Sequence, residues 1–141
     1  MKDKDTSITD ERKQRAFDRV NNLPISKLLG MQLVDIQPNE AVVRIEMRDD
    51  LRQPSGVLHG GVTATIIDTA MALAVRTHLE DHEYTTTVNL TVHYLRPHKA
   101  GAVSCTAKCV KIGKRIFTVS ADVQNEEGML IATGLSTYAR I

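Results

Sequence analysis

Tryptophan is absent from the 141-residue chain, which carries only two phenylalanines and three tyrosines. So few aromatics leave nothing with which to build a stacking platform for single-stranded nucleic acid. An excess of one charge is missing as well, since 18 Lys and Arg against 17 Asp and Glu leave a formal net charge of +1. A dedicated nucleic-acid-binding surface is rich in Lys and Arg, so that class of partner is excluded. Cysteine is sparse, at Cys105 and Cys109 only. Four positions apart on what reads as one strand, their Cα atoms stand about 13 Å apart, beyond the ~7 Å reach of a disulfide. Long apolar runs are lacking too. The opening MKDKDTSITDERKQR has no apolar core and does not read as a signal peptide. The stretch poorest in charge, Gln53–Val75, still carries Asp68, a histidine and three glycines, which is a poor membrane span. These absences predict a soluble, cytoplasmic protein with no nucleic-acid or membrane partner.

What is present is a globular mix, 42% hydrophobic and 25% charged. The length predicts a single domain over residues 1–141, large enough to bury roughly two thirds of its unfolded surface. No internal repeat or linker divides it. Residues 1–9 are polar and expected to fray. From Asp10, Ala16, Phe17, Val20 and Leu23 recur at helical spacing, with Thr9 or Asp10 as N-cap. Pro24 interrupts the pattern, Ser26 offers a cap for a further short turn, and Gly30 ends it, which predicts an N-terminal helical segment over 10–29. Residues 1–22 hold six basic and five acidic side chains, so this amphipathic segment is expected to pack on the sheet or to lid a pocket.

Beyond Gly30 the period changes to two. Val43, Ile45 and Met47 alternate with charged residues, as do Val88, Leu90, Val92 and Tyr94 with polar ones, and Phe117, Val119, Ala121 and Val123 likewise. Residues 31–38, 102–112 and 129–140 read as three more strands. Gly113-Lys114 is a two-residue hairpin signal, and Asn125-Glu126-Glu127-Gly128 a second turn. Between the second and third strands, residues 61–79 are apolar on nearly every side, as in a buried helix. Six antiparallel strands and one long central helix define an α+β domain in which a sheet wraps a helix. The exposed edges of such a sheet predict oligomerisation.

The informative segment runs from Gln53 to Asp68. Asp68 lies eight residues past Gly60, too deep in the helix to be a cap. An aspartate there opposes helix propensity by roughly 0.5–0.7 kcal/mol and is costly to bury without partners. Alone, it would read as facing a wet seam or a cation. Upstream, His59-Gly60-Gly61 opens the helix, where the first amides lack intrahelical acceptors and sit at the positive end of the dipole. Convergent free N–H groups are what a developing oxyanion in acyl transfer needs, and glycine lets a carbonyl approach the backbone closely. Two glycines before a helix also suit a mere tight turn. The combination with Gln53 and Asp68 is what carries chemistry.

On these residues the chain resembles the hotdog-fold thioesterase superfamily, in particular the phenylacetate-degradation-type acyl-CoA thioesterases. The resemblance spans strand order, central helix, the G-x-x-H-G-G-x6-D spacing and the run Tyr94-Leu-Arg-Pro97. It implies a hotdog fold, hydrolysis of an acyl- or aryl-CoA thioester, and no metal or cofactor. It implies homodimers, often paired into tetramers, with active sites between subunits. Gly60 would donate its N–H to the thioester oxygen, and Asp68 of the partner subunit would activate water or attack the carbonyl. His59 would shape or polarise the site, Gln53 would orient the carbonyl or the water, and Gly61 and Thr87 would help hold substrate and water. Relatives pair Asn with Asp or Gln with Glu at the two positions, whereas this chain pairs Gln53 with Asp68, so substrate preference does not follow. A non-catalytic acyl-thioester sensor of the same fold is the alternative, but the roughly 30 residues before the first strand leave little room for a DNA-binding unit. Coenzyme A carries phosphates, and Arg96, His98 and Lys99, with Lys111, Lys114 and Arg115, are candidate cations at the cleft mouth. Any one of them by itself reads better as ordinary surface charge, and only the group fits phosphate recognition. His78 and His82 have metal-ligand spacing, but no third ligand is evident, and cations suit a helix C-terminus.

Overall fold

The computed structural model describes residues 7–141, so most of the segment expected to fray lies outside the described residues. Thr9 accepts a hydrogen bond from the Arg12 N–H at 3.2 Å and caps α1 (Asp10–Asn21). Ile8 packs against the core. A separate helix, α2 (Pro24–Leu29), starts with its proline in the first turn and stops at Gly30, whose φ of 71° is the left-handed conformation glycine tolerates. Ser26 is no cap. Leu23 occupies that position, and Ser26 is buried with its hydroxyl unpartnered among the described residues.

Six strands follow: β1 (Met31–Gln37), β2 (Glu40–Glu46), β3 (Thr85–Tyr94), β4 (Ala102–Ile112), β5 (Ile116–Asn125) and β6 (Leu130–Arg140). They form one antiparallel sheet in the order β1-β2-β4-β5-β6-β3. The β4–β5 hairpin turns one residue later than the sequence suggests. Gly113 N–H bonds the Ile116 carbonyl at 2.9 Å, which leaves Lys114 and Arg115 at the tip. A bulge between Cys109 and Lys111 shifts the register and moves the turn with it.

The long helix α3 (Gly60–Arg76) lies between β2 and β3 in sequence and against the sheet in space. Thr63, Ile66, Ile67, Ala70, Met71, Ala74 and Val75 form its buried stripe, spaced by three and four residues. Gly134 on β6 permits this contact, since a Cβ there would stand 2.9 Å from Ile67 Cγ2. The helix is not buried all round, as its composition suggests. Ala64, Asp68, Ala72 and Leu73, on the other side, are only half-buried, because the sheet of one chain covers one face. This wrapped helix is the hotdog arrangement. Cys105 and Cys109 face the core from β4, and burial pushes their thiols up to about 12 and about 11. No described helix is long and apolar enough to cross a membrane.

Candidate active site

The start of α3 is held from several sides. His59 N–H bonds the Leu51 carbonyl at 2.8 Å, and Leu58 N–H bonds that of His98 at 2.8 Å. His59 is the N-cap, its Nδ1 accepting the Gly61 N–H at 2.9 Å. That bond puts the proton of a neutral ring on Nε2. It also engages the Gly61 amide, so Gly61 has no free donor to offer a substrate. The Gly60 N–H, in contrast, has no acceptor among the described residues. The Tyr94 hydroxyl donates to the Gly60 carbonyl at 2.7 Å, and a Cβ on Gly60 would lie 3.3 Å from the Tyr94 ring. A cavity of about 580 Å³ opens here, lined by Gln53, His59, Gly60, Gly61, Tyr94 and Arg96. Gln53 Nε2 donates to Ser55 Oγ at 2.8 Å, and the Arg96 guanidinium to the Leu130 carbonyl at 2.8 Å.

Asp68 is half-buried on the side of α3 away from the core stripe. Its Oδ1 accepts from Thr87 Oγ1 at 2.8 Å and from the Tyr138 hydroxyl at 2.5 Å, and that hydroxyl is 2.8 Å from the Asp68 backbone carbonyl. Burial first, and then the Asp68 carboxylate, raise the Tyr138 hydroxyl above the ordinary tyrosine pKa and keep it a donor. Tyr138 escapes sequence reasoning because an aromatic in an alternating strand reads simply as core. Only the pairing of β3 with β6 sets it opposite Thr87.

The two clusters are separate within one chain. Gly60 and Asp68 are eight residues apart on a continuous helix, about 12 Å along its axis. Arg96 follows the Tyr94 end of β3. Lys114 and Arg115 lie near the other end, since Ile116 and Thr86 both neighbour Ala139. Thus Gln53, His59, Gly60, Gly61 and Arg96 meet in one cavity, Thr87 meets Asp68, and Lys114 and Arg115 join neither. His98 lines the same cavity as Gly60 and Arg96, buried with its Nε2 2.9 Å from the Gly101 carbonyl oxygen. A second cavity, of about 800 Å³, lies between α1 and the C-terminal half of α3. Val20, Leu23, Ile36, Ala72 and Leu73 supply an apolar wall, Arg12, Arg15, Asp18, Arg19, Arg76 and Asp81 a charged one, and Ala72 is one helical turn beyond Asp68.

His78 pairs through Nε2 with Asn39 Oδ1 at 3.0 Å, while His82 is exposed. Burial chiefly, and Arg140 secondarily, hold the His78 pKa below its usual 6.5. The unfolded chain therefore takes up this proton at higher pH than the folded one. The stability contributed is complete above pH ~6.5 and is lost as pH falls from there toward the folded pKa. Thermal melts from pH 7.5 to 5 should show a falling midpoint, with a shallower slope in His78→Gln. Equal slopes would remove His78 as the cause.

A sheet-wrapped helix with a free amide at its start and a braced carboxylate midway has the parts that acyl transfer needs, a donor for an oxyanion and a base or nucleophile. Residues 55–132 match the thioesterase superfamily, so the chain belongs to that family and is a thioester hydrolase. The 1,4-dihydroxy-2-naphthoyl-CoA hydrolase of Listeria monocytogenes is 26% identical over 115 residues, 82% of this chain and 94% of the relative. The medium/long-chain acyl-CoA thioesterase of Escherichia coli K12 is 27% identical over 134 residues, covering 84% and 86% of the two chains. A mutant of the phenylacetic acid degradation protein PaaI of Thermus thermophilus superposes with a TM-score of 0.78 at 32% identity, covering 84% of this chain and all of the other.

Proposed function

We propose that this chain acts as one domain, an acyl-CoA thioesterase whose sites are shared between two copies of a cytoplasmic homodimer, with dimers pairing into tetramers. The named activities of its relatives support coenzyme A esters as substrates. In this reading the Gly60 N–H binds the thioester oxygen as charge develops on it. Asp68 of the partner subunit attacks the carbonyl carbon, or takes a proton from the water that does, and the coenzyme A thiolate leaves. His59 holds the turn that presents the amide. Gln53 orients the carbonyl or the water, Thr87 helps hold the water through the Asp68 carboxylate to which it donates, and Gly61 serves as wall.

The observation that carries this reading is the unengaged Gly60 N–H, about 12 Å along the helix from Asp68 of its own chain. That gap is too wide for one thioester carbon, so a complete site needs a second chain. Support for its geometry comes from β3, an edge strand with Val88 and Tyr94 exposed at 58% and 56%. Antiparallel pairing of two such edges would bring the Thr87 end of one beside the Tyr94 end of the other. Arg96 of one chain, with Lys114 and Arg115 of the other, would then flank the same mouth and meet the phosphates of coenzyme A. The apolar side of the cavity beneath α1, formed by Val20, Leu23, Ala72 and Leu73, supports an acyl chain of medium length or more.

The test is thiol release from short-, medium- and long-chain acyl-CoA, phenylacetyl-CoA and hydroxybenzoyl-CoA. Medium and long chains are expected to give the highest kcat/KM, each buried methylene adding roughly fourfold. A clear preference for an aryl ester would overturn the acyl assignment of the cavity. Tight binding with no turnover would turn the reading to a sensor.

A further inference from the structure

Asp68 presents its two carboxylate oxygens to different surroundings. Oδ1 receives two hydroxyl donors, Thr87 from β3 and Tyr138 from β6. Oδ2 receives none among the described residues. The two donors are direct cross-strand neighbours, so the sheet itself sets their spacing. Tyr138 is the more rigid, with its ring 1% exposed in the core and only the hydroxyl reaching the polar seam. A carboxylate on a short side chain turns freely about a broad terminal torsion. One oxygen clamped twice stops that rotation and singles out the other.

We propose that Tyr138 is a positioning residue which, together with Thr87, clamps Oδ1 of Asp68 and leaves Oδ2 as the oxygen that reacts. The inference rests on the reading of Asp68 as the group that attacks or deprotonates. Tyr138 exchanges no proton with substrate. Its hydroxyl proton stays between the phenol oxygen, Oδ1 and the Asp68 backbone carbonyl, 2.8 Å away, so the clamp also ties the carboxylate to its own helix backbone. Misplacement of a reacting atom by about 1 Å costs on the order of 10²-fold in rate, and a freed carboxylate oxygen sweeps at least that distance. The remaining donor, Thr87, supplies a single hydrogen bond, about which the carboxylate can still turn.

Tyr138→Phe keeps the buried ring and removes only the hydroxyl. It should lower kcat roughly 10- to 100-fold and leave KM within about twofold, the signature of an interaction used in the transition state. Combined with Asp68→Asn, the same change should cost less than about twofold, because a residue acting through Asp68 has nothing left to position. A role confined to satisfying a buried phenol predicts a lower melting temperature with kcat intact, or equal losses in both backgrounds, and either result overturns the proposal. Should Tyr138→Phe fail to fold, Thr87→Val and Thr87→Ser test the same clamp from β3. Loss of kcat in the valine variant and its retention in the serine variant support the clamp, and an unaffected valine variant overturns it. Turnover that survives Asp68→Asn defeats the reading of Asp68, and the clamp with it. Turnover that needs Asp68 but ignores Tyr138 defeats the clamp alone.

Discussion

Asp68→Asn is expected to lower kcat by roughly 10²–10⁴-fold, the usual worth of a positioned base, with more lost if the carboxylate is the nucleophile. The substitution is nearly isosteric. The amide oxygen can take the place of Oδ1 and accept from Thr87 and Tyr138, as the carboxylate does at 2.8 and 2.5 Å. The NH2 group then replaces Oδ2, with no negative charge and no lone pair free to take a proton. Removing a charge from a half-buried seam does not raise the desolvation cost of folding, so the melting temperature should stay within a few degrees. Thiol release from the preferred ester, measured beside a thermal melt, separates the two effects. A folded variant retaining full turnover would show that chemistry occurs elsewhere.

The second large effect comes from mixing two inactive chains. Gly60→Val places a side chain where a Cβ already stands 3.3 Å from the Tyr94 ring, crowding the approach to the Gly60 amide. Alone it should be as inactive as Asp68→Asn. If each site combines Gly60 of one chain with Asp68 of the other, a heterodimer of the two variants owns one intact site and one doubly damaged one. Random co-assembly makes about half the dimers hybrid, so the mixture should recover about a quarter of unmodified activity. Co-expression with two affinity tags isolates the hybrid, whose activity should approach half. No recovery in the purified hybrid would place both groups in a single chain, against their helical separation of about 12 Å.

Where pattern and fold agree, the reason is local. Phe117, Val119, Ala121 and Val123 alternate in sequence and all four are buried on β5, since a central strand meets the core on one face. On β3 the same alternation marks no buried face. Val88 and Tyr94 are exposed, and Leu90 and Val92 only half-buried, because an edge strand lacks a neighbour on one side and bulges between Thr87 and Asn89. The apolar residues of α3 mislead in the same direction. Composition counts every face of the helix, whereas the single sheet covers one.

Sequence alone determined the helix start at His59-Gly60-Gly61 and the position of Asp68 beyond it. Both follow from capping chemistry and from a fixed rise per residue, which act within a few positions along the chain. The tertiary structure alone decided which side chains reach that carboxylate. Tyr138 lies 70 residues from Asp68 and Thr87 lies 19 away. The same holds for Arg12, which donates to the Leu79 carbonyl 67 residues on, at the end of the segment that α3 opens. Such encounters depend on the register of whole strands and the docking of whole helices. Register is set by summed burial and ladder hydrogen bonds along each strand, with no signal at the residues that it brings together.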